Sequence, residues 1–245
     1  MSGIFSLNNK IVIITGGGNG IGNYLAENMA KLGATIYAID KKFPIKIPTE
    51  LQENLFYKIC NIRNRNKFRK IVKDIFLHHK QLDVLINNAG VGFINTKNVF
   101  YPINKWNETL EINLTSAFNC SQDVLSYMIK KKNGSIINMT SLNSELAFPN
   151  NPAYVASKGG LKMLSKSFAR DFGKYGIRVN NLAPGYILTD LTQKSYDDKK
   201  IRKLREKRTM LGRWGQKHDL LGPCVFLASD ASKYVTGQDI FVDGG

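Results

Sequence analysis

From one end to the other, the chain alternates apolar runs of strand length with amphipathic runs of helix length. The apolar runs Lys10–Thr15, Ala34–Ile39, Leu55–Cys60, Leu82–Asn87, Ser135–Met139, Ile177–Leu182 and Asp239–Val242 read as strands. Helices are expected at Gly20–Leu32, Asn64–His79, Asn104–Ile112, Thr115–Lys131, Ala153–Lys174 and Asp219–Ala228. Strands apolar on both faces need cover on both sides, so the rhythm predicts a parallel sheet with helices on each face. Right-handed crossovers then give a doubly wound α/β sheet of about seven strands.

No repeat, low-complexity tract or linker divides the chain, and its 245 residues suit a single domain spanning 1–245. Two stretches break the rhythm. One is Lys41–Glu53, with Pro44 and Pro48; the other is Ala183–Arg208, too long for a routine loop and therefore a candidate lid over a site.

The first expected strand ends in Thr15-Gly-Gly-Gly-Asn-Gly-Ile-Gly22, and a helix follows at once. Glycines let the backbone turn tightly and approach a pyrophosphate, and a helix N-terminus offers free N–H groups at its positive end. Asp40 closes the second strand, where a carboxylate accepts hydrogen bonds from ribose hydroxyls and repels a 2′-phosphate. This favours NAD over NADP. Lys41 and Lys42 pull the other way, and Asn19 is neutral where a basic residue would help bind the phosphate.

Tyr154 and Lys158 stand four residues apart on one face of the helix expected at Ala153–Lys174. A phenol with a pKa near ~10 is a poor base at neutral pH, and a neighbouring ammonium favours its phenolate. Ser141, just past the fifth strand, lies on the carboxyl edge where doubly wound sheets bind ligands, so its hydroxyl can hold a carbonyl or alcohol oxygen.

With these motifs in order, the chain closely resembles the short-chain dehydrogenase/reductase family, a Rossmann-type fold, over essentially its full length. The resemblance rests on the glycine turn, Asn87-Asn-Ala-Gly90, Asn113 in Glu-Ile-Asn-Leu-Thr, Ser141, Tyr154-Val-Ala-Ser-Lys158, and Pro184-Gly185 with Thr189. It implies an NAD(P)-dependent oxidoreductase acting on a carbonyl or secondary alcohol. Tyr154 would be the general acid/base, and Lys158 would lower its pKa and bind the nicotinamide ribose. Ser141 would orient the substrate oxygen, and the backbone carbonyl of Asn113 would hold a relay water. Cofactor contacts would come from Gly16, Gly18, Asn19, Gly20 and Ile21 in the turn, with Asp40, Asn61 and Ile62 around the adenosine. Asn88, Ala89 and Gly90 would wall that side, and Pro184, Gly185, Ile187 and Thr189 would meet the nicotinamide. Asn61 departs from the Asp usual in the family but keeps an acceptor oxygen. The family also implies a homotetramer built on the helices at Thr115–Lys131 and Ala153–Lys174.

Leu211-Gly-Arg-Trp-Gly215 and Asp219–Ser232 look most like the gluconate and deoxygluconate dehydrogenase branch, which points to a sugar acid or polyol. The acyl-carrier ketoreductase branch is the nearest rival. The formal charge of +16, concentrated in part at Lys199–Arg208, would steer an anionic substrate, although a solvated helix face explains that run too. A nucleic-acid-binding protein would account for the charge but leaves Tyr154, Lys158, Ser141 and Asn113 unexplained; a dinucleotide sensor would be expected to lack one of them. His78 and His79 read as a solvated helix end with no metal cluster around them, and Trp106 and Trp214 as packing residues. The absence of a signal-like or membrane-length apolar run, with Cys60, Cys120 and Cys224 scattered, suggests a cytoplasmic protein.

Overall fold

The computed structural model describes residues 3–43, 49–95 and 100–245, so Pro44 and Pro48 lie outside the described residues. Seven parallel strands run β1 (Ile11–Thr15), β2 (Thr35–Asp40), β3 (Leu55–Ile59), β4 (Val84–Asn87), β5 (Gly134–Met139), β6 (Ile177–Pro184) and β7 (Asp239–Val242). Their order in the sheet is β3-β2-β1-β4-β5-β6-β7. The order reverses between β1 and β4, so a crevice opens at their carboxyl ends.

Between the strands lie α1 (Gly20–Lys31), α2 (Arg65–His79), α3 (Ile103–Leu110), α4 (Ser116–Lys131), α5 (Pro152–Phe172), α6 (Gln193–Asp197), α7 (Lys199–Glu206) and α8 (Leu221–Ala228). Alternate strand residues feed two cores. Val12, Ile14, Ile36 and Ile86 pack with α1 and α8, whereas Ile13, Ile39, Leu85 and Ile136 pack with α2, α4 and α5. This is the doubly wound single domain expected from the strand rhythm.

Four findings differ from that reading. The stretch 183–208 is not an irregular loop: it holds the end of β6 and the two short helices α6 and α7. Asp198 caps α7 by accepting from the N–H groups of Lys200 and Ile201, which stops α6 and starts α7 in one residue. The helices expected at Asn104–Ile112 and Thr115–Lys131 run into each other through a π turn at Glu111–Thr115, where Ser116 N–H reaches back to the Glu111 carbonyl. His79 is not a solvated helix end, because its Nε2 lies 2.8 Å from the Tyr37 hydroxyl and burial lowers its pKa.

The fourth difference is polar. Thr15, Asn87, Asn138, Asn181 and Asp239 pair in register across five strands. Asn87 Nδ2 donates to Asn138 Oδ1, Asn138 Nδ2 to Ser165 Oγ, Ser165 to Asn181 Oδ1, and Asn181 Nδ2 to Asp239 Oδ1. These asparagines are buried, and mutual bonding offsets the loss of water. The row lies immediately below the carboxyl edge of the sheet and fixes the strand ends there.

Candidate active site

A cavity of about 610 Å³ runs along the carboxyl edge of the sheet. Gly16, Asn19, Gly20, Ile21, Asp40, Asn61, Ile62, Asn88, Ala89 and Gly90 line it toward one end. Ser141, Tyr154, Lys158, Pro184, Gly185, Ile187 and Thr189 also line it. Gly18, expected to touch the cofactor, and Asn113, expected to hold a relay water, do not line it.

Gly18 turns away for a clear reason. Its N–H donates to Asp40 Oδ2 at 2.9 Å, and Asp40 Oδ1 accepts from Lys41 N–H at 2.6 Å. The carboxylate therefore braces the glycine turn from behind while still lining the cavity. Asn88 braces the other side: its Nδ2 donates to the carbonyls of Thr15 and Gly16, each at 3.0 Å. Gly22 is needed because a side chain there would stand 2.1 Å from the Gly16 carbonyl oxygen.

The turn fits a dinucleotide pyrophosphate. Gly20 has φ +57°, and no atom lies within 4 Å of the place a Cβ would occupy. Asn19 gives α1 no side-chain cap, so the first N–H groups of that helix are left for a ligand.

Asn113 is buried and works through its side chain. Oδ1 accepts from Val91 N–H at 2.8 Å, while Nδ2 donates to the Val91 carbonyl at 2.9 Å and to Ser157 Oγ at 3.0 Å. It thereby ties the segment after β4 to α5 and holds the π turn in place. The sequence assigned it only a backbone role; the clamp needed the fold to be seen.

Pro152 opens α5, where its missing N–H costs nothing. One turn on, Tyr154 and Lys158 point into the cavity, with Lys158 Nζ 5.6 Å from the centre of the Tyr154 ring. Lys158 is buried and donates to the Met139 carbonyl at 2.6 Å. Burial pulls its pKa down to about 8. Burial also pushes the Tyr154 phenol up, opposed by a hydrogen bond with Ser141. Desolvation penalises both charged forms, whereas the shift of the phenol toward neutrality was expected of Lys158 acting together with the positive charge of an oxidised nicotinamide.

Several cavity residues were not anticipated. Thr192 accepts from Thr189 N–H and donates to the Ile187 carbonyl, which fastens the start of the segment between β6 and α6. Arg63 follows Asn61, whose Oδ1 accepts its N–H at 3.1 Å, and Glu108 projects from α3. No motif marks these residues, since they lie in loops or on an ordinary helix face.

The family described as enoyl-(acyl carrier protein) reductase matches residues 16–245. The 5-keto-D-gluconate 5-reductase of Escherichia coli (strain K12) is 35% identical over 252 residues, covering 100% of this chain and 98% of that protein. This chain belongs to the short-chain dehydrogenase/reductase family. The 3-oxoacyl-acyl-carrier-protein reductase of Thermotoga maritima is 36% identical, covering 98% of each chain. A solved gluconate 5-dehydrogenase from Burkholderia cenocepacia, in complex with NADP and tartrate, superimposes with a TM-score of 0.92 at 36% identity, covering 99% of this chain and 96% of that one. The enzyme is thus an NAD(P)-dependent dehydrogenase or reductase acting on CH–OH groups. Among the described residues no helix is long and apolar enough to cross a membrane, and no His/Cys/Asp/Glu group is arranged to hold a metal ion.

Proposed function

We propose that this enzyme interconverts a keto and a hydroxy sugar acid of the gluconate type. The observation that carries the reading is one cavity lined by Ser141, Tyr154 and Lys158 together with an uncapped helix N-terminus, in a chain similar to gluconate-type enzymes throughout its length.

A bound nicotinamide supplies the hydride in reduction or accepts it in oxidation. Ser141 Oγ holds the substrate oxygen beside Tyr154. In reduction, Tyr154 gives its O–H proton to that oxygen; in oxidation it takes the proton back. Lys158 is mostly charged at neutral pH, with a pKa of about 8, and favours the phenolate. Bringing a phenol from ~10 to near 7 needs about 4 kcal/mol. Since burial raises Tyr154, the positive charge of an oxidised nicotinamide is the further contribution this pocket calls for. The carbonyl of Asn113, within the π turn, would hold a water that links Lys158 to solvent.

We infer a preference for NAD, held by Asp40 and softened by Lys41 beside it. The Burkholderia cenocepacia enzyme's NADP is the reason to measure both cofactors. Tetramer formation through α4 and α5 agrees with the outward positions of Phe118 and Met163, whereas Leu161 and Phe168 are spent in the core.

The acyl-carrier ketoreductase reading is supported by the Thermotoga maritima relative and opposed by Asp40. A panel of sugar acids, polyols and β-ketoacyl thioesters, each with NAD(H) and NADP(H) and followed by nicotinamide absorbance, separates the two. Turnover of acyl thioesters without turnover of any sugar acid would reject our reading.

A further inference from the structure

The lid helix α7 is inverted. Its apolar Ile201 and Leu204 are 38% and 52% exposed, while Arg202 and Arg205 are half-buried. The Arg202 guanidinium lies 5.2 Å from the centre of the Tyr196 ring, and that of Arg205 lies 4.9 Å from Tyr186 and 5.2 Å from Trp214. An ordinary amphipathic helix would bury the leucine and isoleucine and leave the cations in water. Keeping two guanidiniums under the lid calls for a compensating partner.

Arg202 has one in the chain, since it reaches Glu206 at 3.9 Å. Arg205 has none: the charged or titratable groups acting on it are Tyr186 and Arg208, and no carboxylate pairs with it among the described residues. Stacking occupies the face of its guanidinium and leaves the in-plane N–H donors available for a planar, bidentate acceptor.

The floor beneath Arg205 adjoins the reaction centre. Tyr186 sits between Gly185 and Ile187, which line the cavity. On its other side it stacks on Phe148, 5.9 Å away at 12°, in the segment that joins Ser141 to Tyr154. Through Tyr186 and Phe148 the aromatic floor is joined to the two segments that carry Gly185 and Ile187 and that link Ser141 to Tyr154.

We infer that Arg205 is a specificity-determining residue that anchors the carboxylate of the substrate, clamping it between the lid and the Tyr186–Trp214 floor. The assignment rests on the sugar-acid reading above and names the group that would recognise the acid end. It also gives the lid a reason to close: the anion completes an arginine that the protein leaves unpaired.

The test compares D-gluconate with D-glucitol, which has a neutral CH₂OH in place of the carboxylate. Binding of each to the NADH-saturated enzyme, where the hydroxy acid cannot be oxidised, is measured by titration calorimetry for wild type, Arg205→Met and Arg205→Lys. Wild type should prefer gluconate. Arg205→Met should weaken gluconate by about 10- to 100-fold, the range for a charge-assisted hydrogen bond, with glucitol changed by less than about 3-fold. Arg205→Lys should restore part of the preference and guards against a folding defect in the methionine variant. Equal affinity of wild type for the two ligands would overturn the proposal, as would a preference retained in Arg205→Met or a parallel loss of both ligands. If gluconate binds through Arg205 but no sugar acid is turned over with either cofactor, the anchor stands and the sugar-acid reaction falls.

Discussion

Lys158→Met should make the protein more stable and inactive. The Lys158 ammonium is 3% exposed, with the Met139 carbonyl as its hydrogen-bond acceptor at 2.6 Å. Its pKa falls from 10.5 to about 8, a displacement that corresponds to about 3 kcal/mol of cost to the folded state when the group is charged. The sign follows from proton counting. Between pH 8 and 10.5 the unfolded chain holds a proton on Lys158 that the folded chain has released, so wild-type stability rises with pH across that window. Below pH 8 the cost is present in full; above 10.5 it is gone. Methionine has similar length and no charge, so at pH 7 it should remove the cost, less about 1 kcal/mol for the hydrogen bond lost at Met139. The net gain of about 2 kcal/mol corresponds to roughly 4–8 °C in Tm for a domain of this size. Urea unfolding of both proteins at pH 7, 9 and 10.5 isolates the group, because other titrations cancel in the difference. The advantage should shrink as pH rises. A variant less stable than wild type at pH 7, or a difference independent of pH, would refute the reasoning.

Three further outcomes are expected. Tyr154→Phe should abolish turnover while NADH affinity, read by fluorescence, stays within about 3-fold, since the change removes a proton donor and little volume; retained activity would dismiss the phenol as acid/base. Asp40→Ala should narrow the ratio of NAD to NADP affinity and lower Tm, because the same carboxylate braces Gly18 N–H; an unchanged ratio would remove Asp40 from cofactor choice. Gly22→Ala should reduce binding of both cofactors by at least about 10-fold, since its methyl would meet the Gly16 carbonyl oxygen at 2.1 Å. Full NADH affinity in that variant would show that the turn tolerates rearrangement.

The strands were legible because a parallel sheet covered on both faces demands apolar residues at nearly every position. The same logic hid the register row of Asn87, Asn138 and Asn181, whose polarity is tolerable only once each finds its neighbour across the sheet. The lid helices were hidden for another reason. Apolar periodicity marks a helix by the face it buries, and α7 leaves Ile201 and Leu204 exposed while Arg202 and Arg205 stack on aromatic rings. The π turn has no composition of its own, so Asn113 could be named from its motif but its clamp on Val91 could not.

The catalytic pair shows where reading from spacing stops. Four residues on a helix put Tyr154 beside Lys158, and from that proximity alone an ammonium should lower a phenol's pKa. The fold adds what spacing lacks: Lys158 lies beneath β5 with its proton turned to the Met139 carbonyl, and Tyr154 is enclosed with Ser141 as its partner. Enclosure penalises phenolate and ammonium alike, so proximity settles which groups interact while burial settles the sign of each shift. A site arranged this way holds Tyr154 protonated until further positive charge arrives. On the mechanism proposed above, this would couple the acid/base step to the oxidised state of the cofactor in the direction that needs a base, and leave the proton in place for the direction that needs an acid.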